Sequence, residues 1–62
     1  MTPAKAACLR EVQFDSQKRA GDFPITALHL LAMGWLREDF HRCLSITPAG
    51  IAALEEWERT NA

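Results

Sequence analysis

A threonine followed directly by proline occurs twice, at Thr2-Pro3 and Thr47-Pro48, and each pair fixes where a helix can begin. The hydroxyl can accept a bond from a backbone N–H that the first helical turn leaves free. Proline at the first helical position loses nothing, because its missing N–H has no partner there anyway. Thr26-Ala27 offers a third start of the same kind. Two starts also carry an apolar residue just before the cap. Ile25 is placed to pack on Leu30, and Ile46 on Ile51, as a hydrophobic staple does. Gly34 is the natural stop for the middle segment, since a left-handed residue closes many helices. Three helices are therefore expected.

The first runs from Pro3 to about Arg19 and closes at Gly21, with Cys8, Leu9, Val12 and Ser16 along one face at helical spacing. Phe14 lies almost opposite that face. Either the helix breaks near Asp15, which then caps a short second helix, or Phe14 is exposed for a partner. The second helix, Ala27 to Met33, turns Ala27, Leu28, Leu30 and Leu31 inward and leaves His29 and Met33 outside. The third runs from Pro48 to about Arg59. Ile51, Leu54 and Trp57 line one face, Gly50 and Ala53 let a neighbour approach, and Glu55 and Arg59 make an i,i+4 pair.

After Gly34 the period changes. Trp35–Glu38 and Cys43–Ile46 flank Asp39-Phe40-His41-Arg42, which reads as a β-hairpin. Leu44 and Ile46 alternate onto one face, Cys43 and Ser45 onto the other. A slip of one residue exchanges Trp35 and Leu36 between core and solvent, and the pattern leaves that choice open.

With 62 residues there is room for one domain, residues 1–62, burying roughly 60% of its unfolded surface. The expected class is α+β, mostly α: a small winged helix with three helices and a two-stranded β-hairpin wing. The 48% hydrophobic content excludes a disordered chain. Seven Lys and Arg against eight Asp and Glu give a net charge of −1, the profile of neither a strongly basic nucleic-acid binder nor an acidic mimic. Two cysteines, Cys8 and Cys43, and no signal-peptide pattern point to reduced thiols in the cytoplasm. The longest apolar run, Ile25 to Leu36, is too short to cross a bilayer.

Leu30, Leu31, Gly34, Trp35 and Leu36, followed by Leu44-Ser45-Ile46-Thr47-Pro48-Ala49-Gly50, resemble the second half of winged helix-turn-helix transcription regulators of the MarR and PadR type. The likeness covers about residues 25–58. It implies a DNA-binding homodimer, with Thr26 to Met33 as the recognition helix and Asp39 to Arg42 as the wing tip. That helix holds no Lys or Arg, and the long flanking helices through which those regulators dimerise are missing.

Candidate DNA contacts are Lys18, Arg19, Thr26, His29, Arg37, His41 and Arg42, because phosphates are neutralised by basic groups and bases are read by side chains with fixed donors. The plain alternative is solvated surface charge. Phe14, Met33, Phe40 and Trp57 are candidates for a protein interface, since they exceed what so small a core can hold. Against that, Phe40 can fold over the hairpin and Trp57 can simply close the core.

Zinc needs about four ligands at suitable spacing, and only His41-x-Cys43 is local, so no metal is expected. No nucleotide-binding motif, paired carboxylates or activated nucleophile stands out, so neither cofactor nor catalysis is expected. The two functional readings are a DNA-binding regulator and a protein-interaction module on the same scaffold. A self-associating unit is the third.

Overall fold

The computed structural model describes residues 1–61. Helix α1 spans Pro3–Phe14, α2 Thr26–Ala32 and α3 Pro48–Asn61; strands β1 (Leu36–Glu38) and β2 (Leu44–Ile46) form an antiparallel hairpin between α2 and α3. This is the α+β, mostly helical architecture with a hairpin that the sequence predicts. A 3-10 turn at Ala20–Asp22 precedes α2.

The two Thr-Pro starts form as expected. Thr2 Oγ1 accepts from the Lys5 N–H at 3.3 Å, and Thr47 Oγ1 from the Gly50 N–H at 3.1 Å. The stop at Gly34 also forms, with φ of 78°. Its N–H donates to the Leu31 carbonyl and the Trp35 N–H to the Leu30 carbonyl, the paired bonds of a Schellman motif.

The first helix is shorter than expected. It ends at Phe14, not Arg19, and Ser16 lies exposed outside it. The reason is local and tertiary together. Asp15 Oδ1 accepts from the Gln17 N–H at 2.9 Å and turns the chain. The Lys18 carbonyl then accepts from the Leu44 N–H at 2.7 Å, and Arg19 pairs with Cys43 as an isolated antiparallel bridge. A continued helix would keep that carbonyl for itself. No second α-helix follows Asp15; the 3-10 turn forms instead, its first N–H groups flanked by Asp22, whose Oδ2 accepts from the Arg19 N–H at 2.9 Å.

The start of α2 also departs from expectation. Thr26 is inside the helix, the cap position is Ile25, and no side chain caps it. Instead the Ala27 N–H reaches back to the Phe23 carbonyl at 2.9 Å. Ile25 is 70% exposed, so it makes no staple, and Leu28, placed inward by the sequence reading, is 62% exposed. Only one stripe of so short a helix fits the core, and Ala27 and Leu30, both at 0% exposure, occupy it.

Pairs Leu36↔Ile46, Arg37↔Ser45 and Glu38↔Leu44 set the hairpin register. Leu36 is buried and Trp35 half-buried, which settles the open choice of phase. The core joins Ala6, Cys8, Leu9 and Val12 of α1 with Ala27 and Leu30, Leu36, Leu44 and Leu54. Every helix and both strands contribute to it. On the surface, the ion pair among the described residues is Arg10–Glu58 at 2.8 Å, linking α1 to α3, rather than Glu55–Arg59. Both partners are about half exposed, so it contributes under roughly 1 kcal/mol.

Gly50 carries a tight contact. A Cβ there would strike the Trp35 carbonyl oxygen and come within 2.9 Å of Ile46 Cγ1. The first of these atoms is backbone and cannot swing aside. Gly50→Ala is therefore expected to destabilise the fold by about 2–3 kcal/mol, read as a lower urea midpoint by tryptophan fluorescence. An unchanged midpoint would show that the α3–hairpin junction is slack.

Candidate functional site

The hairpin gathers charges that are far apart in sequence. Side chains on paired strand residues share a face, so Leu36, Ile46 and Leu44 point to the core while Arg37 and Ser45 point outward. Cys43 lies two residues from Ser45 and shares its side. The Arg19–Cys43 bridge then brings Arg19 to the same outward face. Arg19 and Arg37 thus flank the central strand from either side, on a diagonal because Arg37 faces Ser45 and Arg19 faces Cys43; two inter-strand spacings with a two-residue offset put their Cα atoms roughly 12 Å apart.

The tip is a three-residue loop, Phe40, His41 and Arg42, built on the carboxylate of Asp39. Asp39 Oδ1 accepts from the N–H groups of His41 and Cys43, each at 2.8 Å. The Arg42 N–H donates to the Asp39 carbonyl, and the Asp39 N–H donates to the Cys43 carbonyl at 2.9 Å. Arg42 takes φ of 67°, in the left-handed region, as the last residue of such loops does. Glycine is the usual occupant. An arginine held there projects an exposed guanidinium from the end of the ribbon. The His41 ring sits edge-on to Phe40, with centroids 5.9 Å apart, and Phe40 is 98% exposed. Phe40 therefore does not fold back over the hairpin.

The other candidates separate from this face. Lys18 is half-buried, its carbonyl committed to Leu44. Thr26 is half-buried and His29 exposed on α2, with Met33 at its end. Those two polar residues share the helix surface with Ile25, Leu28 and Ala32, so α2 presents an apolar exterior rather than a row of donors. Phe14 is 96% exposed beside a shallow groove of about 370 Å³ that Arg10 and Lys18 also line. Trp57 is half-buried against the core, with the Arg10 guanidinium 5.5 Å from its ring centroid, a cation–π contact. A second groove of about 320 Å³ lies between Trp57 and Trp35. Sequence reasoning missed Ile25 and Leu28 as surface groups and assigned Arg19 to a helix. Asp15 was the signal for the latter, because a turn there frees the following residues to pair with β2.

Both cysteines are free thiols. The Cys43 sulfur lies 4.0 Å from the His41 carbonyl oxygen. Among the described residues no group of three or more His, Cys, Asp or Glu is placed to hold a metal ion, and no helix is long and apolar enough to cross a membrane. Compared with known proteins, the chain matches no family model, no curated protein and no solved structure.

Cys8 is 1% exposed. Burial, with the negative Glu11 nearby as a second cause, pushes its thiol from 9.0 up to about 11. The unfolded chain then releases this proton at lower pH than the folded one. The stability that the neutral thiol supplies is complete below pH 9.0 and is lost as pH rises toward about 11. Urea midpoints measured across this window for the protein and for Cys8→Ala should diverge in slope, the variant being flatter; parallel curves would contradict the assignment.

For Arg42, the left-handed backbone carries about 1–2 kcal/mol of strain in an L-residue, against the roughly 0.5–1 kcal/mol of chain entropy that glycine loses. Arg42→Gly is expected to stabilise the fold by about 0.5 kcal/mol, read as a slightly higher urea midpoint. A clear fall would mean that the arginine side chain holds the tip.

Proposed function

We propose that the protein is a small winged-helix nucleic-acid-binding module that meets duplex DNA with the outer face and tip of its hairpin. It acts as a non-catalytic accessory or regulatory factor in the cytoplasm. The observation that carries this reading is the Arg19–Cys43 bridge, which sets Arg19 and Arg37 on one face behind Arg42. Among the described residues none of these three guanidiniums has a carboxylate ion-pair partner, whereas Arg10 is engaged by Glu58. Two arginines on a diagonal of roughly 12 Å suit phosphates on either side of a minor groove, which is roughly 6 Å wide. Arg42 between and beyond them suits the groove itself, whose negative potential attracts arginine. The strained backbone at Arg42 adds support, because a residue kept in a disfavoured conformation commonly serves function.

This arrangement changes the role that the likeness to MarR and PadR regulators implies for α2. With Leu28 and Ile25 outward and no basic side chain, α2 is a poor reader of base edges. Affinity in this proposal comes from phosphate contact by the hairpin, and sequence discrimination is weak. The free thiols at Cys8 and Cys43 fit a reducing compartment.

A second reading is favoured by the same exposed residues of α2, namely a protein-docking module on this scaffold. Salt separates the two. Phosphate contacts release counterions, so DNA affinity falls steeply with salt, while an apolar contact barely changes.

Fluorescence anisotropy with mixed-sequence duplex DNA at low salt should show saturable binding. The double variant Arg19→Ala/Arg37→Ala should weaken it and lower the log–log salt slope by about 2. Absence of binding at several hundred micromolar protein, or a slope unchanged in the variant, would rule out the hairpin as the contact surface.

A further inference from the structure

Phe40 stands at the far end of the hairpin and is 98% exposed, so the chain covers neither face of its ring. The neighbouring His41 ring lies at 85° to it and does not stack on it. The backbone beneath is held in place. Asp39 Oδ1 accepts from the His41 and Cys43 N–H groups, and the Arg42 N–H donates to the Asp39 carbonyl. The ring is therefore presented from a preorganised loop, which has little further ordering to undergo on contact.

The surroundings of the ring point to what it meets. Asp39, His41 and Arg42 border it, all polar and exposed. The tip thus lacks the apolar centre of a protein interface, which buries about 800 Å² per partner. A single ring with both faces open and a guanidinium two residues away suits the gap between two base pairs, which inserted apolar side chains part from the minor groove. The lengths agree. Arg37 lies three residues behind Phe40, at most about 10 Å along the ribbon, and the minor groove is about 7.5 Å deep. With Arg37 on a phosphate at the rim, the ring reaches the base edges. Glu38 alternates to the opposite side from Arg37 and leaves that face cationic.

We infer that Phe40 is a wedge that enters between adjacent base pairs from the minor groove, and that the preferred substrate is duplex DNA with a weakened step, as at a mismatch. This rests on the nucleic-acid reading above and adds a substrate class to it. The preference follows from magnitudes. Stacking a base on an aromatic ring strengthens binding by about tenfold to a hundredfold. Parting a well-stacked step weakens it by a similar factor. On fully paired DNA the two nearly cancel. Where a mismatch has already loosened the step, most of the opposing factor is gone and the stacking gain remains.

Anisotropy titrations of the full chain against two end-labelled duplexes of one sequence, one fully paired and one with a central mismatch, test the inference. The mismatched duplex should bind about tenfold more tightly. Phe40→Ala should abolish that preference and leave the log–log salt slope as it was, because no phosphate contact is removed. Phe40→Trp, which keeps a broad ring, should retain the preference. Far-UV circular dichroism with thermal melting checks that both variants fold, as expected for so exposed a side chain. Saturable binding of the two duplexes with equal affinity overturns the inference and leaves the nucleic-acid reading standing. So does a preference that persists in Phe40→Ala. Failure to bind either duplex overturns both.

Discussion

The hydroxyl of Thr47 holds together the segments on which the rest of the architecture depends. It donates to the Gly34 carbonyl at 2.7 Å and accepts from the Gly50 N–H, while the Thr47 N–H donates to the Trp35 carbonyl at 3.0 Å. One residue thereby connects the end of α2, the entry to β1, the exit from β2 and the first turn of α3. Gly50 completes the junction by omission, since its missing Cβ lets the Trp35 carbonyl lie against the helix. The small core makes such a joint necessary. No single element buries enough apolar surface to stand alone, so the angle between the hairpin and α3 has to be fixed by directional bonds as well as by packing.

What the sequence made legible follows from this. The caps at Thr2 and Thr47 and the stop at Gly34 are encoded by residue types with strong local preferences, and the hairpin around Asp39–Arg42 by the change of period after Gly34. They can be read without knowing what lies across the core. The end of α1 and the inner face of α2 are decided elsewhere. Lys18 leaves a helical path because Leu44 needs an acceptor, a demand that comes from a residue 26 positions later. In α2 the apolar residues run almost all the way round, so periodicity cannot choose a face. Packing chose Ala27 and Leu30 and left Leu28 outside. Where several solutions satisfy the local rules, tertiary competition selects among them.

The candidate site was legible as an inventory and not as a surface. Arg19, Arg37 and Arg42 are visible in the chain, but their grouping needs the bridge to Cys43 and the pairing of Arg37 with Ser45. The left-handed conformation of Arg42 was also hidden. A three-residue loop of this type ordinarily signals itself with glycine at that position, and here the signal is absent while the geometry is present. The Asp39 carboxylate, accepting two backbone N–H groups, supplies the local determinant that glycine would otherwise share.

Two features run against stability in a molecule with little to spare. An L-residue is held at positive φ in the hairpin tip, and large apolar side chains of α2 face solvent. A domain of this size has a total stability of only a few kcal/mol, so each feature represents a sizeable fraction of it. Neither is forced by the fold: glycine would fit the tip, and a polar residue at position 28 would serve the helix equally well. Departures of this kind, where local rules are broken without a structural gain, concentrate where a surface meets something else. They also fall on separate elements, the arginine-bearing hairpin and the short helix α2. The near-zero net charge of the chain therefore conceals an uneven surface, with arginines gathered on the hairpin and apolar side chains gathered on α2.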